Sequence, residues 1–191
     1  DACDTLRTRT AFHWLKEKGQ EEEYYDYLKG TITRDELWNK IPDHLIKSVI
    51  NKEISEDTLP IIFEQIDAEL GTKKVDLVIG GPPCQAYSVA GRVRKDMTND
   101  PRNHLYKHYV EFLKKYQPKM FVFENVPGIL SAKNGEYLQL IFDAVREAGY
   151  KLDKQVLNAR DFGVLQDRKR VIIIGWRNDL NLEYPEFKKM E

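Results

Sequence analysis

The feature that most constrains this chain is an apolar run, Val75 to Ile79, that stops abruptly at Gly80-Gly81-Pro82-Pro83. Proline fixes φ and has no N–H to give to a sheet ladder, so the run reads as a short strand ending in a stiff loop. A regular alternation follows. A helix is predicted from about Pro101 to Tyr116, with proline in its first turn. Lys119 to Phe123 is a second buried strand. Gly135 to Ala148 is an amphipathic helix carrying Leu138, Ile141, Phe142 and Val145, and Gly149 ends it. Lys151–Leu157 and Arg170–Trp176 are the remaining strands. With no helix between them they predict a hairpin, an antiparallel edge on a mostly parallel sheet. Strands alternating with helices imply an α/β sheet covered on both faces.

The N-terminal third differs. Asp1 to Lys18 reads as an amphipathic helix with Ala2, Leu6, Trp14 and Leu15 on its apolar face and Gly19 as its stop. From Gln20 to Lys52 the composition shifts: Glu21, Glu22 and Glu23 lead into Tyr24, Tyr25 and Tyr27, then into mixed helical segments. A solvated helical insertion explains this stretch better than a functional acidic patch. The chain opens at Asp1 without a Met, inside a predicted helix, which suggests part of a longer protein.

The 191 residues suit one domain, and 41% hydrophobic residues suffice for a core. Charges are nearly balanced, at a formal net −1, so any nucleic-acid contact has to be local. The two cysteines, Cys3 and Cys84, are far apart and suggest neither a disulfide framework nor a metal site. A reducing, cytoplasmic setting is expected. No apolar run approaches membrane-spanning length, and no signal peptide is visible.

In sheets of this class ligands sit at the carboxyl ends of strands. Two segments fall there: Gly80-Gly81-Pro82-Pro83-Cys84-Gln85 and Glu124-Asn125-Val126-Pro127. Cys84 is either a buried small residue or a nucleophile, and the stiff loop is a good way to present a thiol. A free thiol has a pKa of about 8.5, so a nucleophile there needs a cation or a helix N-terminus nearby. Glu124 is either solvated or held in a pocket at the strand edge. Gln166-Asp167-Arg168-Lys169-Arg170 opens the last strand, and on a strand Gln166, Arg168 and Arg170 share one face. That face is either a solvated charged edge or a contact for an anion or a base edge, which guanidinium forks suit.

Taken in order, Gly-Pro-Pro-Cys-Gln, Glu-Asn-Val and Gln-x-Arg-x-Arg before an apolar strand resemble the motif series of cytosine-C5 DNA methyltransferases, the family common in bacterial restriction–modification. Asp100-Pro-Arg-Asn-His-Leu-Tyr106, Asn158-Ala-Arg-Asp-Phe-Gly163 and Asp1-Ala-Cys-Asp-Thr-Leu6 resemble further stretches of the family. The match is strong over residues 75 to 180 and weak from 20 to 50. The resemblance implies a Rossmann-like, S-adenosylmethionine-dependent methyltransferase fold. It also implies an incomplete catalytic domain, because the Gly-rich first motif and the target-recognition region of the family are not among these residues.

The resemblance also implies roles. Cys84 attacks C6 of cytosine, Glu124 holds the base at N3 and N4, Arg170 contacts the base carbonyl, and Arg168 organises the catalytic loop. Glu53 and Ile54 fit the place that contacts the adenine of S-adenosylmethionine, although the family usually has Asp where Glu53 stands. Pro83 and Leu105 match positions that pack against the same cosubstrate. Gln85, Ser88, Arg92, Asn125 and Gln166 are expected at the base or the DNA. Ser88, Arg92, Arg94 and Lys95, around Gly91, lie in the loop that closes over the flipped cytosine, where basic side chains meet phosphates. The expected partner is double-stranded DNA, together with the remainder of the enzyme or a second chain. No metal is expected. Leu165 stands where the family usually has Pro.

The remaining readings are an RNA-directed member of the same family, acting on tRNA, and a non-catalytic DNA-binding or regulatory module on this fold. Retention of the Gln in Gln-x-Arg-x-Arg and the absence of a Cys-Phe-Thr tripeptide favour DNA over tRNA. Intact Cys84, Glu124 and Arg170 favour an enzyme over a regulatory module. A generic nucleotide-binding domain lacks support, because there is no G-x-G-x-x-G turn. Alone, the 191 residues are expected to turn over poorly or not at all.

Overall fold

The structure is a computed structural model that describes residues 2–83 and 105–190. Cys84, Gln85, Ser88 and Arg92, and the predicted helix start at Pro101, lie outside the described residues. The chain divides into two compact units, Asp1–Gly71 and Thr72–Glu191.

The first unit is helical: α1 (Ala2–Glu17), α2 (Glu21–Lys29), α3 (Arg34–Trp38), α4 (Asp43–Lys47) and α5 (Leu59–Leu70). Gly19 ends α1 and Gly30 ends α2 at positive φ, which glycine adopts without a Cβ clash. Thr33 and Glu36 form a reciprocal capping box that starts α3. Ala11 and Leu15, four residues apart on α1, pack with Leu37 and Ile41 into a small core. Trp14, Tyr24, Tyr27 and Trp38 line it. This corrects two expectations. Leu6 is 51% exposed and Ala2 is exposed, so the packed stripe of α1 runs through Ala11 and Leu15. Residues 20–52 are also more than a solvated decoration, since Leu37 and Ile41 supply half of that core. Helix α5 lacked an expectation of its own, although Pro60 in its first turn and Gly71 after it mark both ends.

The second unit is α/β. Its strands are β1 (Leu77–Gly80), β2 (Met120–Asn125), β3 (Tyr150–Asn158) and β4 (Lys169–Arg177), in the order β1-β2-β4-β3. Helix α6 (Leu105–Tyr116) precedes β2, and α7 (Glu136–Glu147) precedes β3. β1 and β2 run parallel, whereas β4 is antiparallel to both β2 and β3. The α/β class and the edge hairpin are as expected, and among the described strands the sheet is mixed, because β4 of the hairpin inserts beside β2.

Helix α6 buries Tyr106, Tyr109, Val110 and Leu113, an i, i+3, i+4, i+7 stripe. Helix α7 buries Tyr137, Leu138, Ile141, Phe142 and Val145. Both stripes join one core with Phe121 and Phe123 of β2, Tyr150 of β3, and Val171 and Ile173 of β4. Within the second unit, α6 and α7 therefore share one face of the sheet. The ring of Tyr106 stands edge-on to Tyr137 at 5.5 Å and closes the seam between them. Strand side chains alternate between faces. With Phe121 and Phe123 toward the helices, Val122 and Glu124 project from the other face, together with Arg170 and Ile172 of β4.

Candidate active site

Glu124 and Asn125 sit at the carboxyl end of β2, where a parallel strand delivers its loop to a ligand. The end of β1 lies beside them in register, Gly80 opposite Phe123. Two glycines there allow close approach. A Cβ on Gly80 would fall 2.8 Å from the Tyr109 ring, and one on Gly81 would fall 3.0 Å from Glu124 Oε2 and 3.1 Å from the Glu124 carbonyl. The Tyr109 hydroxyl lies between the strands and donates toward the carbonyls of Val122 (2.9 Å) and Val78 (3.2 Å). Burial pushes its pKa upward, so it stays a neutral donor.

Arg170 Nε donates to Glu124 Oε1 at 2.6 Å, and its Nη1 donates to the Lys169 carbonyl at 2.8 Å. Arg168 Nη2 lies 3.9 Å from the same carboxylate oxygen. One carboxylate thus faces two guanidinium groups. Glu124 keeps 39% of its side-chain surface exposed, so the group is accessible as well as paired. Of the expected site residues, Glu124, Arg168 and Arg170 come together. Gln166 and Arg168 precede β4 rather than belonging to it, because Gln166 N–H closes a tight turn on the Val164 carbonyl at 2.7 Å. Gln166 is exposed in that turn.

Asn125, expected at the base, is the last residue of β2. It is 4% exposed, and its side chain is engaged within the chain. Its Nδ2 donates to the Pro82 carbonyl at 3.1 Å and its Oδ1 accepts from Val126 N–H at 2.9 Å. This side chain pins the loop two residues before Cys84. Sequence reasoning missed both that function and the bridging hydroxyl of Tyr109. A polar residue closing a largely apolar strand is the available signal for the first, and the apolar stripe of α6 hides the second.

The residues assigned to the methyl donor suit an adenosine group in their chemistry. In the first unit, Ser55 and Thr58 knit residues 53–58 together. Ser55 N–H donates to Thr58 Oγ1 at 2.9 Å, and the Thr58 hydroxyl donates to the Glu53 carbonyl. This leaves the Glu53 carboxylate exposed beside Ile54, itself 44% exposed. A carboxylate can accept from an amine while the neighbouring isoleucine offers an apolar surface to a ring. In the second unit, Pro83 is exposed and Leu105 is half-buried at the start of α6. Among the described residues, no group of three or more His, Cys, Asp or Glu side chains gathers as a metal site would require. No described helix is long and apolar enough to cross a membrane.

A family model described as C-5 cytosine-specific DNA methylase matches residues 34–191. The Type II methyltransferase M.Bpa9945I of Bacillus paralicheniformis is 36% identical over 98% of this chain and 49% of its own length. The Type II methyltransferase M.FnuDI of Fusobacterium nucleatum is 45% identical over 88% of this chain and 46% of its own. The chain spans about half the length of the curated relatives it matches. Among solved structures, a prophage-encoded E. coli protein described as a DNA modification methyltransferase aligns with a TM-score of 0.53 at 28% identity. That alignment covers 71% of this chain and 35% of the other. The methyltransferase EhMeth of Entamoeba histolytica shares the fold, with a TM-score of 0.50 at 20% identity over 74% and 41% of the two chains. A family model that matches residues 34–191 places it: the chain belongs to the C-5 cytosine-specific DNA methylase family.

Proposed function

We propose that this chain carries the base-holding and nucleophilic centre of a DNA cytosine-C5 methyltransferase, with Cys84 as nucleophile and Glu124 as the group that grips the base. The observation that carries this reading is the Glu124–Arg170 ion pair at the carboxyl end of β2. It lies beside a loop whose Pro82 carbonyl is fixed by Asn125. The Glu124 carboxyl faces the N3–N4 edge of a cytosine turned out of the duplex, and Arg170 faces its carbonyl oxygen. Holding a proton at N3 draws electron density from the ring, so the Cys84 thiolate adds at C6 and the C6–S bond forms. Density then gathers at C5. Bound S-adenosylmethionine would supply an electrophilic methyl group for C5, its methyl–sulfur bond breaking to leave S-adenosylhomocysteine. Loss of the C5 proton and cleavage of the C6–S bond restore the ring and return the thiolate. Base flipping precedes these steps, because C6 is covered within a stacked duplex.

In this reading residues 1–191 form part of a catalytic domain with a helical insertion at 20–52. The rest of the relatives' length supplies target recognition and the remainder of the cosubstrate pocket. DNA binding runs through basic residues after Cys84 and weakens as salt rises. The test is covalent trapping. The protein, together with the length that supplies target recognition and the rest of the cosubstrate pocket, is incubated with S-adenosylmethionine and a duplex carrying 5-fluorocytosine, whose C5 has no proton to lose. An adduct that survives denaturation is expected, and Cys84→Ser abolishes it. An adduct that persists in that variant moves the nucleophile elsewhere. Trapping on tRNA but not on duplex DNA reassigns the substrate. Multiple turnover on DNA by these 191 residues alone overturns the assignment of an essential role to the remaining length.

A further inference from the structure

Arg168 precedes β4, yet its guanidinium reaches the carboxylate that Arg170 also binds. What holds it is Asn158, the last residue of β3, which faces Lys169 across the hairpin. Asn158 Nδ2 donates to Asp167 Oδ1 at 2.7 Å, and Asn158 Oδ1 accepts from the Arg168 backbone N–H at 3.0 Å. The next residue continues the grip, with Ala159 N–H donating to the Arg168 carbonyl at 3.0 Å. Three hydrogen bonds thus clasp one peptide segment on both sides.

Only an amide meets this demand. It offers a donor to a carboxylate and an acceptor to an N–H from one planar group. A carboxylate at position 158 sets two negative charges against each other, and alanine leaves both partners to water. The bonds lie at the surface, where water competes, so their effect is on orientation more than on stability.

We propose that Asn158 is a positioning residue. By gripping Asp167 and Arg168 it aims both arginines at Glu124 before a base arrives. Its relevance to catalysis rests on the methyltransferase reading above, but its test does not. The 191-residue chain is labelled with ¹⁵N, and two signals are followed without DNA or cosubstrate. One is the Arg168 backbone amide, which reports the clasp. The other is the Arg170 Nε–Hε group, whose exchange with water is slowed by pairing to Glu124. Asn158→Asp is expected to shift the first signal and to speed exchange at the second by about 3- to 10-fold, the scale of one hydrogen bond.

The double variant Asn158→Asp, Asp167→Asn exchanges the two chemistries. The new carboxylate then accepts from both the Arg168 N–H and the new amide at position 167, and both signals are expected to return to within about twofold of native. This rescue also covers a single variant that folds poorly. An unchanged Arg170 exchange in Asn158→Asp overturns the proposal, and so does a double variant that fails to recover. If no adduct forms on 5-fluorocytosine DNA while the two signals behave as stated, the methyltransferase reading fails and the positioning role stands.

Discussion

Arg170 Nε and Glu124 Oε1 meet at 2.6 Å, joining segments 46 residues apart. Sheet register makes the meeting possible. Glu124 lies opposite Ile172, so Arg170, two residues earlier on β4, reaches it diagonally on the same face. Fully formed, this is a charge-assisted bond, yet Glu124 stays partly exposed and water screens it. Stability and chemistry should therefore separate. Glu124→Gln is expected to change unfolding free energy by less than about 1 kcal/mol. The same change is expected to slow adduct formation on 5-fluorocytosine DNA by about 100-fold or more, the usual scale for a lost acid–base group. Urea unfolding and single-turnover trapping measure the two. Proportional losses in both would make Glu124 a structural residue.

The strands and helices of the second unit were legible from apolar runs and stripes. The α6 stripe at 106, 109, 110 and 113 and the continuous apolar β2 run at 120–123 are examples. The meeting of Glu124 with the two arginines was legible only as a family resemblance. Spacing along the chain does not reveal that β4 inserts beside β2. The contact of Asn125 with the Pro82 carbonyl was not legible, because a polar residue at a strand end reads alike whether it faces a ligand or a neighbouring loop. In α1 the error was one of partner. Leu6 is as apolar as Leu15, but the core built with Leu37 and Ile41 includes only Leu15.

Asn125 gives a second prediction. Its amide is buried, with the donor on the Pro82 carbonyl and the acceptor on Val126 N–H. Asn125→Ala leaves both partners unmatched at a cost of about 1–3 kcal/mol. Asn125→Asp keeps an acceptor but turns a carboxylate toward a carbonyl, so it is expected to cost more than alanine at neutral pH. Protonation of the new carboxyl restores a donor, and the gap between the variants should narrow as pH falls toward 4. Urea unfolding of both variants at pH 7 and pH 4.5 checks this. Equal costs at both pH values would show that Pro82 does not depend on position 125.

Two glycines should lose stability and trapping in different proportions. A Cβ on Gly81 meets the Glu124 carbonyl, which is backbone and cannot turn aside, as well as the Glu124 carboxylate. Gly81→Ala is expected to cost about 1–2 kcal/mol and to displace Glu124, so trapping falls further than stability. A Cβ on Gly175 would lie 2.1 Å from the ring of Phe121, itself fully buried, and 2.9 Å from the Lys151 carbonyl. Overpacking there is expected to cost about 3 kcal/mol. Unfolding and trapping measured together give the ratio, and a Gly175→Ala variant as stable as native would mean that the sheet yields where the structure shows it closed.

Alkaline pH should loosen the second unit through its buried tyrosines. Tyr150 is 1% exposed and donates to the Pro118 carbonyl at 2.9 Å. Burial pushes its pKa from 10.0 to about 12, and burial raises Tyr109 as well. In the unfolded chain these phenols lose their protons near pH 10, while in the folded chain they keep them. Above that pH the unfolded state binds fewer protons, so stability falls as pH rises. The contribution is intact below about pH 10 and is lost progressively toward pH 12. Tyr150→Phe removes one such group. At pH 8 it is expected to cost about 1 kcal/mol, because the Pro118 carbonyl loses its donor. Its slope above pH 10 is shallower by up to one proton, about 1.4 kcal/mol per pH unit. The native and variant stabilities should therefore converge between pH 10 and pH 12. Urea unfolding at pH 8, 10, 11 and 11.5 measures the convergence, and parallel curves would mean that Tyr150 titrates alike in the folded and unfolded chains.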